Sequence, residues 1–300
     1  SGGGVIEFSV PRKSRSTPGT VEVLDRPAEQ DTIAEVCPLA FPRAIKSNRM
    51  NNDEWVDLLY EARVGGKPAP VCSSRVSGLD HAVAYTAQAG LVERLEASIT
   101  GFKGALTNKA AQAAMGIDVP VSGVLLEDMR LTAGSIVELG NYSHAVVETE
   151  IGFCIGKPVS EQISTDGLME YVEYCLPMIE IADIGCDDPA AMTIYDFIAA
   201  NSAAAGYIVG QGSELEAVNE VTVSLFRDGE LLHEGRAKEA LGDQFAAATW
   251  LINQVVGQGY TIEPGFFLMT GSLGALQMAT KPGLYSADYG AFGKIEFEFI

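Results

Sequence analysis

Beyond Pro120 the apolar residues come in short runs of about 5 to 8, separated by glycine and polar breaks: Val121–Leu126, Ser135–Leu139, Val146–Ile151, Met178–Ile181, Val221–Phe226, Phe266–Thr270 and Ile295–Ile300. Runs this short suit strands, so the C-terminal part is predicted to be β-rich. Asp228-Gly229, set between Val221/Val223/Leu225 and Leu231/Leu232, predicts a tight hairpin. Helical spacing is found elsewhere. Trp55, Leu58, Leu59 and Ala62 follow a cap at Asn52 or Asp53, and Ala84, Ala87, Leu91 and Leu95 form one stripe over residues 81–98. Asp188-Pro189 predicts a helix running to about Ala204, and Asp243 precedes another that ends at Gly257 or Gly259. With no internal repeat, the class is mixed α+β rather than a βαβ array.

Charge narrows the partners. The 300 residues hold 40 acidic against 20 basic side chains, a net charge of −20, which repels phosphate backbones and anionic lipid; neither nucleic acid nor a membrane is expected as a partner. No run approaches the roughly 18 apolar residues of a membrane helix. Five cysteines, widely spaced and without a C-x-x-C pair, argue against a disulfide framework or a thiolate zinc site and for a reducing, cytoplasmic setting. The first 49 residues differ from the rest: they open Ser-Gly-Gly-Gly and hold seven basic against six acidic residues. They are read as an N-terminal extension or vector-derived segment, with Met50 as a natural chain start; acidic residues from Glu22 onward argue against a transit peptide. Residues 50–135 are then a helical part and 136–300 a β-rich catalytic core.

Two strand-length runs carry carboxylates where a core should be. In Val146-Val147-Glu148-Thr149-Glu150-Ile151, period two puts Glu148 and Glu150 on one face. Two glutamates on one strand face are either a solvated edge or a converging ligand pair. In Leu176–Ile184, Glu180 sits in a run apolar on both faces, where an ionised carboxylate loses several kcal/mol of hydration unless a cation replaces it. Three converging carboxylates with few basic neighbours suit a hard divalent ion, Mg²⁺ or Mn²⁺. Asp183 competes with Glu180 for the third place, or else orients a neighbour or caps a turn.

Lys103, between Phe102 and Gly104, is a candidate acid/base if desolvation lowers its pKa; Lys109 is a weaker one. Met269-Thr270-Gly271-Ser272 is a strand end opening into a turn whose hydroxyls and N–H groups can receive an oxyanion or carboxylate. His81, His144 and His233 occur singly and are read as core or surface residues. Cys154 is read as a small core hydrophobe.

Taken in order, the helix from Asp80 to Gln88, GFKGALTNKAAQAAMGIDVPVSG, VETEIGF, PMIEIAD, the Asn201–Gly210 stretch, TGSLGAL and ADYGAFGKIEFEF resemble the 2-keto-4-pentenoate hydratase family. That family includes 2-oxohepta-3-ene-1,7-dioate hydratases and 4-oxalocrotonate decarboxylases, within the fumarylacetoacetate hydrolase superfamily. The resemblance runs from about Asn52 to the C-terminus. It implies a mixed β-roll core with a smaller N-terminal helical part, a homo-oligomer, and a small-molecule 2-oxo acid substrate. By position it implies Glu148, Glu150 and Glu180 as metal ligands, Lys103 as acid/base, and Thr270 and Ser272 as contacts to the substrate carboxylate. The implied reaction is metal-dependent hydration of a 2-hydroxy-2,4-dienoate or its 2-oxo tautomer, as in aromatic catabolism. Alternatives are decarboxylation of a 2-oxo-enedioate, with Arg75, Arg130 or Arg236 holding the second carboxylate, and a catalytically silent metal-binding partner. The sequence departs from the pattern: Val121 stands where several hydratases carry aspartate, Leu284 where an acidic residue is usual, and a Ser-rich segment is reduced to Asn201 and Ser202 as polar contributors.

Overall fold

The computed structural model describes residues 49–215 and 217–300, so the segment read as an extension lies, but for Arg49, outside the described residues. Two helices come first: α1 (Asn52–Val64) and α2 (His81–Arg94). The cap of α1 is Asn51, one residue earlier than expected, because only Asn51 has a glutamate three residues on: its side chain accepts from the Glu54 N–H while Glu54 accepts from the Asn51 N–H. Asp80 caps α2, whose buried face holds Ala84, Ala87 and Leu91 as the spacing predicts.

Then follow β1 (Ile99–Ala105), α3 (Lys109–Ala114), β2 (Val121–Leu126), β3 (Arg130–Leu131), β4 (Ile136–Val137), β5 (Ala145–Ile155) and β6 (Val172–Asp183). The chain continues through α4 (Ile194–Ala199), β7 (Ala204–Val209), β8 (Thr222–Arg227), β9 (Glu230–Arg236), α5 (Gln244–Gly257), β10 (Phe267–Met269), β11 (Gln277–Met278), β12 (Gly283–Asp288) and β13 (Lys294–Phe299). The larger sheet has the order β2-β1-β10-β5-β6-β7-β3, with β11 also on β5; the smaller is β4-β13-β12-β8-β9. Both mix parallel and antiparallel pairs, as β1 with β10 and β4 with β13 are parallel. The α+β class is borne out. A boundary at 135/136 runs through the larger sheet, because β1 pairs there with β10 and β3 with β7, both strands from beyond that point.

Asp228 and Gly229 both have positive φ, 51° and 82°, which a two-residue hairpin of the right twist requires, and they join β8 to β9. Asp243 caps α5, which buries Ala247, Ala248, Leu251, Ile252 and Val255 against β1, β2 and β10. The predicted helix from Asp188 is shorter than expected. Asp188 closes a local turn by accepting from the Ala191 N–H, and the helix starts only after Thr193, which forms a capping box with Asp196. It stops at Ala199, ahead of three successive residues, Asn201, Ser202 and Ala203, with φ of 59°, 49° and 63°. That left-handed stretch turns the chain into β7, and no α-helix continues through it.

Candidate metal centre and active site

The strands β5 and β6 pair along nearly their whole length, and the register sets Glu148 directly opposite Glu180, with Glu150 two residues along the same face. One oxygen from each carboxylate lies within 4.8 Å of the others. Glu150 and Glu180 are buried at 0% and 1% exposure, and Glu148 is half-buried. The solvated-edge alternative for Glu148 and Glu150 is thereby excluded. Asp183 stands apart: its oxygens accept from the Ser143, His144 and Gly185 N–H groups, so it caps the turn beside β5 and β6.

Lys103 reaches the cluster from β1, two strands from β5. Its stem lies over Gly123 of β2, where a Cβ would come within 3.3 Å of Lys103 Cγ and Cδ. Its Nζ is 2.9 Å from Glu180 Oε1. The pair is a charge-assisted contact, which leaves Glu180 Oε2 and Glu150 Oε1 buried without a hydrogen-bond donor. Two buried carboxylate oxygens without a donor, in a trio whose ligand atoms lie within 4.8 Å of one another, are a set that fits a divalent cation.

The electrostatics follow. Burial first, with the Glu148 charge beside it, pushes the Glu180 carboxyl up to about 7 despite Lys103. Burial and the charges of Glu180 and Glu148 hold Glu150 well above the usual carboxylate range, and burial raises Glu148 against the pull of Lys103 and the Ser272 hydroxyl. The expectation for Lys103 is corrected. Burial does act to lower it, but Glu180, Glu148 and Glu150 outweigh burial and hold the ammonium above the ordinary lysine range. A carboxyl raised to about 7 binds a proton in the folded chain that the unfolded chain has released, so its contribution to stability is present at low pH and lost as pH rises through 7. In chelator, the thermal midpoint is therefore expected to fall between about pH 5 and pH 8, and saturating Mg²⁺ to remove most of that fall. A midpoint that rises with pH in chelator sinks the assignment.

Glu150 has two further supports that the sequence does not announce. The Gly271 N–H donates to Glu150 Oε2 at 2.6 Å. Gly271 sits at φ 111°, and a Cβ there would collide with the Thr107 hydroxyl, so only glycine brings this N–H in. The turn thus receives a carboxylate, as read, but one of the protein's own. The Tyr289 hydroxyl accepts from the Glu150 N–H at 3.2 Å and donates to Met178 O at 2.6 Å, tying β5 to β6 beside the cluster. The repeated aromatics of ADYGAFG were the only hint of it.

Of the other candidates, Ser272 and Ser202 line the cavity that Glu148 and Lys103 open into. Thr270 and Asn201 do not line it. The one proton of Thr270 Oγ1 is shared between Ile151 O at 2.9 Å and Gln244 Oε1 at 2.7 Å, and the Asn201 amide exchanges two hydrogen bonds with Val124 of β2. Both hold the scaffold around the site. Lys109 Nζ is engaged with Gln112 and Asp118 O. Arg75 is held at Cys72 Sγ and Arg130 over the Phe267 ring; neither they nor Arg236 lines the cavity. Val121 is buried among apolar residues. His233 is buried, 3.2 Å from Thr149 Oγ1, while His81 and His144 are exposed.

The cavity measures about 640 Å³ and runs from Lys103 and Glu148 between α3, the segment leading into α4, and residues 274–276. A smaller one of about 260 Å³, beside Arg63 and Tyr142, is lined by none of the three glutamates.

With this geometry, the chain is 29% identical over 246 residues to 2-keto-4-pentenoate hydratase 2 of Dechloromonas aromatica, a match covering 79% of this chain and 92% of that one. It is 28% identical over 229 residues to a 4-oxalocrotonate decarboxylase of a Pseudomonas species, covering 75% and 89%. The chain is a homologue of these enzymes. The resemblance carried by the seven motifs is borne out. Among solved structures, 4-oxalocrotonate decarboxylase from Pseudomonas putida G7, complexed with magnesium and adipate, matches with a TM-score of 0.77 at 22% identity, over 82% of this chain and 96% of that one. The fold is that of the fumarylacetoacetate hydrolase family. No protein-family model matches the chain. No helix among the described residues is long and apolar enough to cross a membrane.

Proposed function

We propose that the protein is a divalent-metal-dependent lyase that hydrates a 2-hydroxy-2,4-dienoate through its 2-oxo tautomer. The observation that carries this is the convergence of Glu148, Glu150 and Glu180 within 4.8 Å, beside Lys103 and at the end of a large cavity. These three residues would hold Mg²⁺ or Mn²⁺, the ions preferred by an all-carboxylate set. A divalent ion there supplies Lewis-acid stabilisation of the negative charge that builds on a 2-oxo acid as its dienol ketonises.

The chain's own groups do the rest. Ser272 and Ser202 stand on the cavity wall with their hydroxyl protons donated to Gly274 O and Ser122 O, and orienting a carboxylate head requires one of these bonds to be exchanged for the substrate. Lys103 Nζ, kept protonated by the glutamates, holds the proton that the far carbon of the dienol takes up. The neutral amine then accepts a proton from the water whose hydroxyl adds at C4, the proton given up by the enol oxygen ends on C3, and the product is a 4-hydroxy-2-oxo acid. The buried walls around Glu150 and Glu180 exclude bulk water from the charged end.

Decarboxylation of an enedioate is the second possibility, since the solved decarboxylase shares the fold. That enzyme was solved with adipate, a molecule with two carboxylates, whereas no Arg among the described residues lines the cavity here and Lys103 is already paired with Glu180. Hydration of a monoacid is favoured accordingly. The protein is proposed to work as a homo-oligomer, as the resemblance implies, and in the cytoplasm, as its widely spaced cysteines suggest.

The test is direct. Purified protein with Mg²⁺ or Mn²⁺ is expected to bleach the chromophore of 2-hydroxypenta-2,4-dienoate without releasing CO₂. CO₂ release from an enedioate with the simple dienoate inert would install the decarboxylase instead. Metal binding with neither substrate consumed would leave the silent partner.

A further inference from the structure

The cavity is much larger than its charged end needs. A five-carbon 2-oxo acid has eight non-hydrogen atoms, roughly 240 Å³ even if each is given the ~30 Å³ of a liquid water. The cavity is about 640 Å³. Beyond Lys103, Glu148 and Ser272 its walls are Leu106 and Met115 on one side, Ile184, Met192 and Phe197 on another, and Leu276 on a third.

Charge decides what such a space accepts. Lys103 is the only Lys or Arg among the described lining residues, and three glutamates already claim it. His144 is the one other lining group able to carry positive charge, and it is solvent-exposed. A carboxylate at the tail of a substrate would face Leu106, Met115, Met192 and Phe197 with no cation to pair it, and would keep its hydration only at the mouth, where Leu276 and Ile184 are 54% and 37% exposed. An alkyl or aryl tail loses nothing there and removes apolar wall from water.

Resting on the hydratase reading above, we propose that the substrate is a monocarboxylic 2-oxo-alkenoate with a bulky, uncharged, apolar tail of at least three carbons beyond the reacting diene. Its head lies at Glu148 and Ser272, and its tail among Leu106, Met115, Ile184, Met192, Phe197 and Leu276.

Binding tests this without requiring turnover. Saturated 2-oxo acids are titrated calorimetrically into the protein in excess Mg²⁺. Affinity is expected to rise roughly fourfold per methylene, so about sixtyfold from 2-oxopentanoate to 2-oxooctanoate, with length-matched 2-oxooctanedioate at least about tenfold weaker than the monoacid. Equal binding of the C5 and C8 monoacids, or a diacid as tight as the monoacid, overturns the proposal. Met115→Arg sets a cation beside the tail and is expected to tighten the diacid more than about tenfold while weakening 2-oxooctanoate. An unchanged diacid in the folded variant removes Met115 from the tail site and overturns the placement.

Turnover of the matching dienoates separates the two levels of inference. Ordered binding with no dienoate consumed sinks the hydratase reading and leaves the tail assignment standing. Consumption that is indifferent to chain length sinks the tail assignment alone.

Discussion

Glu148→Gln is expected to abolish divalent-ion binding and turnover together while the protein stays folded. Glu148 is the half-buried member of the trio, facing the cavity, and the amide is nearly isosteric with the carboxylate. Losing one carboxylate removes a third of the ligand charge. Partners that merely orient a metal ligand cost about 10- to 100-fold in affinity, so loss of the ligand itself should cost at least ~100-fold, and turnover more. Calorimetric titration with Mg²⁺ and Mn²⁺, beside a melting curve in chelator, reads both effects. The metal-free melting point should hold or rise, because a buried negative charge has been removed. Mg²⁺ affinity within about threefold of the parent protein would remove Glu148 from the centre.

Lys103→Met should behave in the opposite way toward the ion. The ammonium is 2.9 Å from Glu180 Oε1 and is buried with it, so in the metal-free chain it neutralises part of the carboxylate charge. Without it the glutamates attract a divalent ion at least as well as before, but no group remains at that position to deliver or take up a proton. Turnover is expected to fall by about 10²- to 10⁴-fold, the usual worth of a positioned acid/base, with metal affinity retained or tightened. The metal-free protein should also lose stability, since an uncompensated buried carboxylate replaces an ion pair. A merely structural lysine would lower stability with the same or weaker metal binding and leave the pH dependence of kcat alone. Loss of metal affinity together with turnover would make Lys103 part of the ligand scaffold and not an acid/base.

Much of the site was legible because its residues break a local rule. A glutamate inside Met178-Ile179-Glu180-Ile181 is costly wherever it folds, and the strand period alone aligns Glu148 with Glu150. What period and burial cannot supply is the partner. The register that sets Glu180 opposite Glu148 joins residues 32 apart in sequence, and Thr270 is drawn away from the cavity by Gln244 and Ile151, on elements far along the chain. Asn201 is likewise fixed by Val124, 77 residues away. For Lys103 the sequence shows apolar neighbours, which argue for a lowered pKa, and not the three carboxylates that reverse the direction. The helix at 194–199 was misplaced because Asp188-Pro189 carries the same start signal as Thr193 with Asp196, and only the second pair closes a capping box.

Asp196 does more than begin that helix. One of its oxygens accepts from the Cys72 and Ser73 N–H groups and the other from Thr193, while its neighbour Phe197 faces the cavity. The wall at Phe197 is thus riveted to the chain ahead of α2. Among the described residues, α3 and residues 274–276 make no hydrogen bond to α1, α2 or the chain between them, and Met115 only packs on their apolar cluster. New substrate preferences are therefore best sought by randomising Met115 and Leu276, with the riveted side left as the anvil against which they are shaped.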